Sequence, residues 1–386
     1  MKVLKLILKN ALRHKLRTVL TIVGITIAVI AFGLLRTVVT VWDSSVDAAS
    51  ANRLITRQAV SFIFPLPYSY KEKIKSVSGV QTVSFANWFG GVYKDKNNFF
   101  ARMAVDAETI FDVMPEFLIA PEELATFKKE RNACVLGADI AKQYNIKIGD
   151  VMTLEGDIYP GRWDFVVRGI YHPQNKNTDD SQMLFHWQYV DERMKIETPV
   201  RAGDVGWYIV AIEDPNKAAV ISDQIDALFN NSSAETKTET EKAFAQGFVA
   251  ASSAIITAMN LMSFFIIGII MLVLANTMIM AARERTREYA VFKTLGFSTF
   301  HLTGLILGES MLISILGGGI GIAFTYPIVA GFEQAIPKGF FPFFFIEPVT
   351  TIMALGAAIL IGIIAAVFPI QRTLKTKIVE GFRFVG

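Results

Sequence analysis

The chain lacks the short motifs that build the common catalytic and metal sites. No stretch reads G-x-x-x-x-G-K-[S/T], and the sequence contains no Gly-Lys dipeptide, so it has no phosphate-binding loop of the ATPase type. It also contains no G-x-S-x-G, H-E-x-x-H or C-x-x-C motif, and its one cysteine is Cys134. We therefore predict no catalytic residue, no metal ligand and no cofactor-binding residue. Trp88, Tyr93, Asp95 and His172 could be grouped in a cleft, but core or surface positions explain them more simply.

The residues most suited to binding chemistry lie in the charged segment Arg283–Gly296. Three apolar side chains recur there every three residues: Tyr289, Phe292 and Leu295. This spacing predicts a short helix with an apolar stripe, Glu284 and Arg287 can pair at i,i+3, and Gly296 is suited to end the helix. A short helix with an apolar stripe and charged flanks fits a groove on a partner protein. A helix lying on the inner leaflet of a membrane is the alternative.

The rest of the chain must position this segment, and its 386 residues are 52% hydrophobic and 19% charged. Four long stretches carry almost no charge: 18–41, 248–282, 297–332 and 348–371. Because about 20 apolar residues cross a bilayer, we predict transmembrane helices at 18–41, 251–281, 301–330 and 348–371. The second stretch would be about 52 Å long as a helix, so we expect it to extend beyond the membrane as a stalk.

The first stretch has a rival interpretation as a cleaved signal peptide. Basic residues precede it, and residues 49–51 resemble a cleavage site. The apolar core of a signal peptide has about 7–15 residues, whereas 18–41 is longer, which favours the membrane helix.

Residues 1–17 form an amphipathic segment, with Lys5, Lys9 and Arg13 on one side. We predict a helix that lies along the cytoplasmic membrane surface with its apolar side in lipid. A basic flank of no special shape is the alternative.

The short segments beside the four helices predict the orientation of the chain. Segments 1–17, 282–300, 331–347 and 372–386 contain 6, 4, 1 and 4 Lys+Arg residues. Because cytoplasmic loops collect Lys and Arg, both termini and 282–300 are predicted to be cytoplasmic, and the 331–347 loop periplasmic. The insert 42–250 has 22 basic and 29 acidic residues, a net charge of −7, against +10 for the rest. This division gives no support for nucleic-acid binding.

The insert 42–250 has the pattern of an α+β domain. The predicted elements of its first layer are strands at 59–64, 80–85 and 99–105 and a helix at 67–76. Their order suits a split ferredoxin-type layer. A second unit follows, and a strand at 205–212 with a helix at 216–230 is predicted to return to the first layer. Residues 230–242 are polar, and we predict a linker there.

Polar residues and glycines stand out within the apolar stretches. The polar residues are Arg36, Asn276 and Glu309. Ionisable groups in a membrane are costly and often functional; we expect Arg36 to reach the outer boundary and Glu309 to pair with a polar group. Two G-x-x-x-G spacings join Gly304 with Gly308 and Gly317 with Gly321. Such spacings let helices approach closely, either within one chain or between two copies.

At residues 276–296 the sequence resembles the permeases of ABC transporters of the MacB, LolC/LolE and FtsX type. The matching residues there are Asn276-Thr277-Met278, the charged run Arg283–Glu288 and Lys293-Thr294-Leu295-Gly296. Further matches are Leu8–Arg13, Gly308-Glu309-Ser310, the glycines of the third membrane helix, Phe368-Pro369 and Glu380–Arg383. The four-helix layout with a large insert after the first helix matches as well, so the resemblance covers the chain. This sequence departs from the family's Glu-Ile-Gly at Glu288-Tyr289-Ala290.

The resemblance implies that 285–296 is a coupling helix seated in a separate ATPase subunit. The implied coupling residues are Arg285, Glu288, Tyr289, Phe292, Leu295 and Gly296. The implied partners are a cytoplasmic ABC ATPase dimer, which binds ATP and magnesium, and a second permease copy or homologue. A periplasmic adaptor or substrate-carrier protein is a further expected partner, and the expected location is the bacterial inner membrane. The insert is expected to be a periplasmic domain of the porter and Sabre type.

The function that the resemblance implies is mechanotransmission. ATP-driven motion of the partner would reach the periplasmic domain and extract or expel a lipoprotein, lipid, peptide or drug-like substrate. The alternative is an FtsX-like signalling scaffold that activates a periplasmic peptidoglycan hydrolase, although that subgroup has a smaller insert. A membrane-anchored enzyme is a third class, and the sequence assembles no catalytic group for it.

Overall fold

A computed structural model describes residues 2–47, 49–96, 98–175, 177–335 and 344–375. Its helices are α1 (Lys2–Ala11), α2 (Lys15–Asp47), α3 (Tyr70–Lys75), α4 (Ile110–Val113), α5 (Pro121–Lys129), α6 (Ala138–Gln143), α7 (Trp187–Glu197), α8 (Ala218–Ala227), α9 (Glu241–Ala251), α10 (Ser253–Glu284), α11 (Thr286–Thr294), α12 (Thr299–Ala335) and α13 (Pro348–Lys375). Its strands are β1 (Arg53–Gln58), β2 (Leu66–Pro67), β3 (Val80–Trp88), β4 (Ala101–Val105), β5 (Phe117–Leu118), β6 (Ala133–Gly137), β7 (Val151–Gly156), β8 (Gly161–Pro173), β9 (Gln182–His186), β10 (Asp204–Val205), β11 (Trp207–Ile212) and β12 (Thr236–Thr240). Much of the predicted 331–347 loop and 372–386 tail lies outside the described residues.

The chain divides into a helical unit, which contains α1, most of α2 and the helices after Ser252, and an α/β unit from Val41 to Ser252. In the helical unit, α2, α10, α12 and α13 are long and apolar enough to cross a membrane. The fold class predicted from the sequence, four membrane-spanning helices with an α/β domain inserted after the first, is therefore confirmed.

The core of the helical unit forms where the four long helices meet. Ile25 of α2, Leu274 of α10, Leu302 of α12 and Ile361 of α13 are fully or almost fully buried in one cluster. The outer faces of the same helices expose large apolar side chains such as Phe265 and Ile352. This inverted pattern is expected where the surroundings are lipid, because lipid is as apolar as the core.

Glycines set the contact between α12 and α2. A Cβ atom at Gly317 would lie 2.8 Å from Ile25 Cβ, and one at Gly321 would lie 2.7 Å from Val29 Cβ. The second G-x-x-x-G spacing therefore packs within the chain. Thr26 Oγ1 donates to the Gly317 carbonyl oxygen at 3.1 Å, which shows how close the two backbones are.

The two glycines of the first G-x-x-x-G spacing have different surroundings. A Cβ atom at Gly308 would lie 2.6 Å from Ile7 Cδ1 of α1, whereas nothing lies within 4 Å of one at Gly304. Gly308 therefore packs within the chain, and Gly304 makes no such contact with the described residues.

The α/β unit is built on a sheet whose main path runs β12-β1-β11-β3-β4-β9-β6-β8-β5, with β7 paired to β8. The β4–β9 and β6–β8 pairs are parallel, and the other pairs are antiparallel. Because successive strand residues point to opposite faces, Leu54 and Val210 join one core while Ile55 and Ile209 join the other. Each face of the sheet therefore has an apolar core of its own. As predicted, the late strand β11 returns to pair with β1 in the first layer.

Two local predictions in the insert are wrong. The predicted linker 230–242 contains β12, which pairs with β1 along its length. The predicted strand 59–64 is a loop, and β1 lies just before it at Arg53–Gln58. Val60 and Ile63 are 80% and 88% exposed, so apolar residues alternate there without a buried face to pack against.

Candidate functional site

The candidate site is the segment between α10 and α12, which contains α11. The backbone leaves the α10 helix at Arg285, and α11 begins at Thr286. Arg285, Tyr289 and Ala290 are buried, whereas Arg287 and Val291 are exposed. The helix therefore has an inner face that packs on the membrane-spanning helices and an outer face that the described residues leave exposed.

An ion pair anchors the inner face. Arg285 Nη1 donates to Glu309 Oε2 of α12 at 2.7 Å, and the side chains are only 3% and 7% exposed. Arg285 Nη2 donates to the Asn10 carbonyl oxygen at 2.6 Å, at the end of α1. Because buried charges need a partner, this triad fixes α11 against both α12 and α1. The side chain of Arg285, one of the residues that the resemblance implied for coupling, is thus an internal anchor of α11.

Further ion pairs join the turn after α1 and the start of α2 to α11 and the end of α10. Arg13 Nη1 donates to Glu288 Oε1, and Arg17 Nη1 donates to Glu284 Oε2 at 2.9 Å. His14 Nε2 lies 3.2 Å from the same Glu284 oxygen. The predicted Glu284–Arg287 pair is thus replaced by a pair with Arg17. Single exposed pairs contribute little to stability, but together these contacts bring the N-terminal turn onto the candidate site.

The start of α11 is also packed, and its end is tied to α13. Tyr289 is 7% exposed and belongs to the helical core, and burial raises the pKa of its hydroxyl to about 12. Lys293 Nζ donates to the carbonyl oxygens of Thr373 and Leu374, at 3.0 and 3.3 Å. Lys293 therefore ties α11 to α13.

The end of α11 is a Schellman motif. Gly296 has φ +85°, its N–H bonds the Lys293 carbonyl at 3.2 Å, and the Phe297 N–H bonds the Phe292 carbonyl at 3.0 Å. These are the two hydrogen bonds of the motif, and the apolar contact that accompanies it is formed by the Phe292 and Phe297 rings, 5.2 Å apart. The predicted end of the helix at Gly296 is therefore confirmed.

The outer face of the segment carries an apolar surface, which we call the 291–300 surface. Four exposed apolar side chains form it: Val291 (38% exposed), Leu295 (69%), Phe297 (41%) and Phe300 (85%). The predicted stripe of Tyr289, Phe292 and Leu295 does not lie on one face of α11. Three residues turn a helix by about 300°, so each residue of the stripe is rotated by about 60° from the previous one around the helix axis. Tyr289 is consequently buried, Phe292 is half-buried and Leu295 is exposed.

The polar residues of the membrane-spanning helices have different surroundings. Arg36 Nη1 donates to Asn260 Oδ1 of α10 at 2.9 Å. Asn276 is exposed on the outer face of α10. The sequence analysis missed Asn260, although a lone arginine in an apolar stretch signals that a neighbouring helix carries a polar partner. It also missed the ion pairs that Arg13 and Arg17 form with Glu288 and Glu284.

Comparison with known proteins gives the family. A family model described as "MacB-like periplasmic core domain" matches residues 18–228, and one described as "FtsX-like permease C-terminal" matches residues 260–378. The chain belongs to the MacB and FtsX type of ABC transporter permease. The resemblance that the sequence motifs indicated is thus confirmed. Because ABC permeases work with an ATPase, the family implies a partner ATPase.

Individual relatives are distant. An uncharacterised ABC transporter permease of Methanocaldococcus jannaschii is 21% identical over 409 residues, which cover 97% of this permease and 96% of the relative. The macrolide export ATP-binding/permease protein MacB of Photorhabdus laumondii is 28% identical over 105 residues, 27% of this permease and 16% of that protein. Among solved structures, the periplasmic region of MacB from Actinobacillus actinomycetemcomitans has 15% identity and a TM-score of 0.38, and the match covers 53% of this permease and 95% of that chain.

Proposed function

We propose that this permease converts ATP hydrolysis by a separate ATPase into motion of its α/β unit, which extracts or expels an amphipathic substrate. The observation that carries the proposal is the 291–300 surface. Exposed apolar patches outside a membrane mark interaction sites. Val291, Leu295 and Phe297 lie between two membrane-spanning helices, and Phe300 lies in the first turn of α12. Because the family implies a partner ATPase, we expect a groove of that ATPase to bind the 291–300 surface.

The contacts of α11 support a mechanical role. Arg285 ties α11 to α12 through Glu309, and Lys293 ties it to α13 at the Thr373 carbonyl. Arg13 joins the turn after α1 to Glu288. A force applied at the 291–300 surface would therefore displace the ends of several helices together. Coupling of this kind needs a rigid connection, and packed helices with buried polar anchors provide one.

The proposal requires the 291–300 surface and the α/β unit to lie on opposite sides of the membrane, with both termini cytoplasmic. Leu295→Cys and Val200→Cys place thiols at positions that are 69% and 91% exposed, and the native Cys134 is buried, so background labelling is low. In intact spheroplasts, a membrane-impermeant maleimide is expected to label Val200→Cys at once and Leu295→Cys only after permeabilisation. Equal labelling of both before permeabilisation would disprove the proposed orientation.

Coupling is tested by making the surface polar. We expect Leu295→Ser with Phe300→Ser to abolish co-purification of the ATPase or its permease-dependent ATP hydrolysis, without loss of permease from the membrane. Val200→Ser, an equally exposed apolar residue of the α/β unit, is the matched control and should change neither. Phe292 is a poor probe because its ring packs in the Schellman motif. Normal assembly and hydrolysis in the double variant would show that the surface does not bind the ATPase.

A further inference from the structure

The α/β unit contains a cleft of about 520 Å³ that the coupling mechanism does not use. It is formed by the ends of β3 and β11, the loop that precedes β2, and the turn between β7 and β8. Its lining residues are Phe62, Ile63, Pro65, Asn87, Trp88, Ile158, Tyr159, Arg201, Asp204, Gly206 and Trp207. This volume lies in the range of about 300–1,000 Å³ that is typical of small-molecule sites.

Most of the lining is aromatic or aliphatic. Phe62 comes from the loop that the sequence suggested was a strand, and its ring lies 4.7 Å from that of Trp207 and 5.2 Å from that of Phe244 on α9. Phe62 is nevertheless 38% exposed, and Ile63 beside it is 88% exposed. A loop that presents apolar side chains while one of its rings is held in place provides a wall for an apolar ligand.

Polar contacts fix the back of the cleft. Asn87 Nδ2 donates to the Tyr159 hydroxyl at 2.8 Å, and Arg201 Nη1 donates to the Ile158 carbonyl oxygen at 2.7 Å. Gly206 lets the backbone before β11 pass close to β3, because a Cβ atom there would lie 2.8 Å from the Ala86 carbonyl oxygen. The site is therefore formed before any ligand arrives, which reduces the entropy lost on binding.

Asp204 is the acidic residue of this lining, and it is half-buried. Within the described part of the chain, no donor lies within hydrogen-bond distance of its carboxylate, and no cation pairs with it. Burial and the nearby Asp191 carboxylate raise the pKa of Asp204. Arg201 also lines the cleft, but it is exposed to solvent, where its charge is screened, whereas the Asp204 carboxylate is half-buried. A bound cation would provide the missing partner.

We propose that this cleft binds a small amphipathic cation, with its ammonium group at Asp204 and its apolar body against Phe62, Trp88 and Trp207. Aromatic faces attract ammonium groups as well as apolar groups, so the rings and the carboxylate favour the same ligand. This inference deepens the proposed function, on which it rests, by naming the chemical class of the substrate.

The test is calorimetric titration of the full-length permease, without ATPase, in nanodiscs, with empty nanodiscs subtracted. Three probes share one apolar body and differ in charge: phenylbutylammonium, phenylbutanol and phenylbutanoate. We expect the cation to bind most tightly and Asp204→Asn to weaken it about tenfold, the size of a lost charge-assisted contact. Asn has nearly the same shape as Asp, and the Asp204 backbone carbonyl keeps its bond to Trp187. Asp223→Asn, at an exposed acid on α8, is the matched control and should leave the affinity unchanged.

The role of the rings is tested by Phe62→Ser, which lies on a loop and should reduce the affinity for the cation and for phenylbutanol alike. Equal binding of all three probes, or unchanged cation binding in Asp204→Asn, would overturn the proposal. So would phosphocholine binding as tightly as the cation, because the apolar body would then contribute nothing. No step of this experiment uses the ATPase, so its failure leaves the coupling proposal standing, and a failed coupling test leaves the binding result standing.

Discussion

Removal of the Glu309 charge should destabilise the helical unit far more than the same change at Glu288. Both glutamates pair with an arginine, but Glu309 and Arg285 are 7% and 3% exposed, whereas Glu288 and Arg13 are 40% and 53% exposed. Leaving one member of a buried ion pair without its partner costs about 3–5 kcal/mol. Exposed pairs contribute about 0–1 kcal/mol, because water solvates the charge that remains.

Glu309→Gln keeps an acceptor for Arg285 and removes only the charge, so its cost should be at the lower end, about 3 kcal/mol. That change lowers the folding equilibrium constant by more than about a hundredfold. Glu288→Gln is the matched control. The free energy of unfolding is measured on the purified permease in mixed micelles by titration with sodium dodecyl sulfate.

The arrangement also predicts a local effect and a rescue. Because Arg285 Nη2 holds the Asn10 carbonyl oxygen, Glu309→Gln should speed tryptic cleavage after Arg13 and Lys15. Replacing both Arg285 and Glu309 by Leu should recover part of the stability, because neither buried charge is then left unpaired. Equal destabilisation by Glu309→Gln and Glu288→Gln would refute the reasoning, since it would mean that the Arg285–Glu309 pair is solvated.

Two further predictions concern the Schellman motif and a buried histidine. Gly296→Ala should cost about 1–2 kcal/mol, because φ is +85° there and an L-residue is strained in that region. Gly304→Ala, with nothing within 4 Å of the new Cβ atom, should be neutral or stabilising in the same unfolding titration, and equal effects would contradict this account of Gly296. Burial lowers the pKa of His186 below its ordinary 6.5, so the unfolded chain binds the proton more readily and stability should fall as the pH drops below about 6.5. His186→Gln should reduce this slope in unfolding measured from pH 7.5 to 5, and an unchanged slope would show that His186 does not cause it.

The sequence by itself determined the membrane-spanning helices, the inserted α/β domain and the family. The four spans follow from long uncharged stretches, a property of the residues that needs no knowledge of their partners. The motif at Arg283–Gly296 identified the permease type, and Gly296 marked the end of α11 because a left-handed residue there needs glycine. These features are local, so a pattern along the chain is enough to find them.

Only the tertiary structure decided which side of each element is covered. The spacing of Tyr289, Phe292 and Leu295 predicted a helix, but the position of α11 on α12 and α13 determines that Tyr289 is buried and Leu295 exposed. Periodicity shows that a helix has two faces, and it cannot tell the face that meets the chain from the face that meets a partner.

The same holds for partners that are far apart in the sequence. Arg285 pairs with Glu309, Arg13 pairs with Glu288 and Gly321 packs against Val29. No local spacing in the sequence encodes these contacts. Loop 59–64 shows that a local pattern can also mislead. Its alternating apolar residues resemble a strand, but the segment that pairs with β11 and β12 is Arg53–Gln58, just before it. Hydrogen bonds from neighbouring strands and the packing of distant side chains decide such cases, and both exist only in the folded protein.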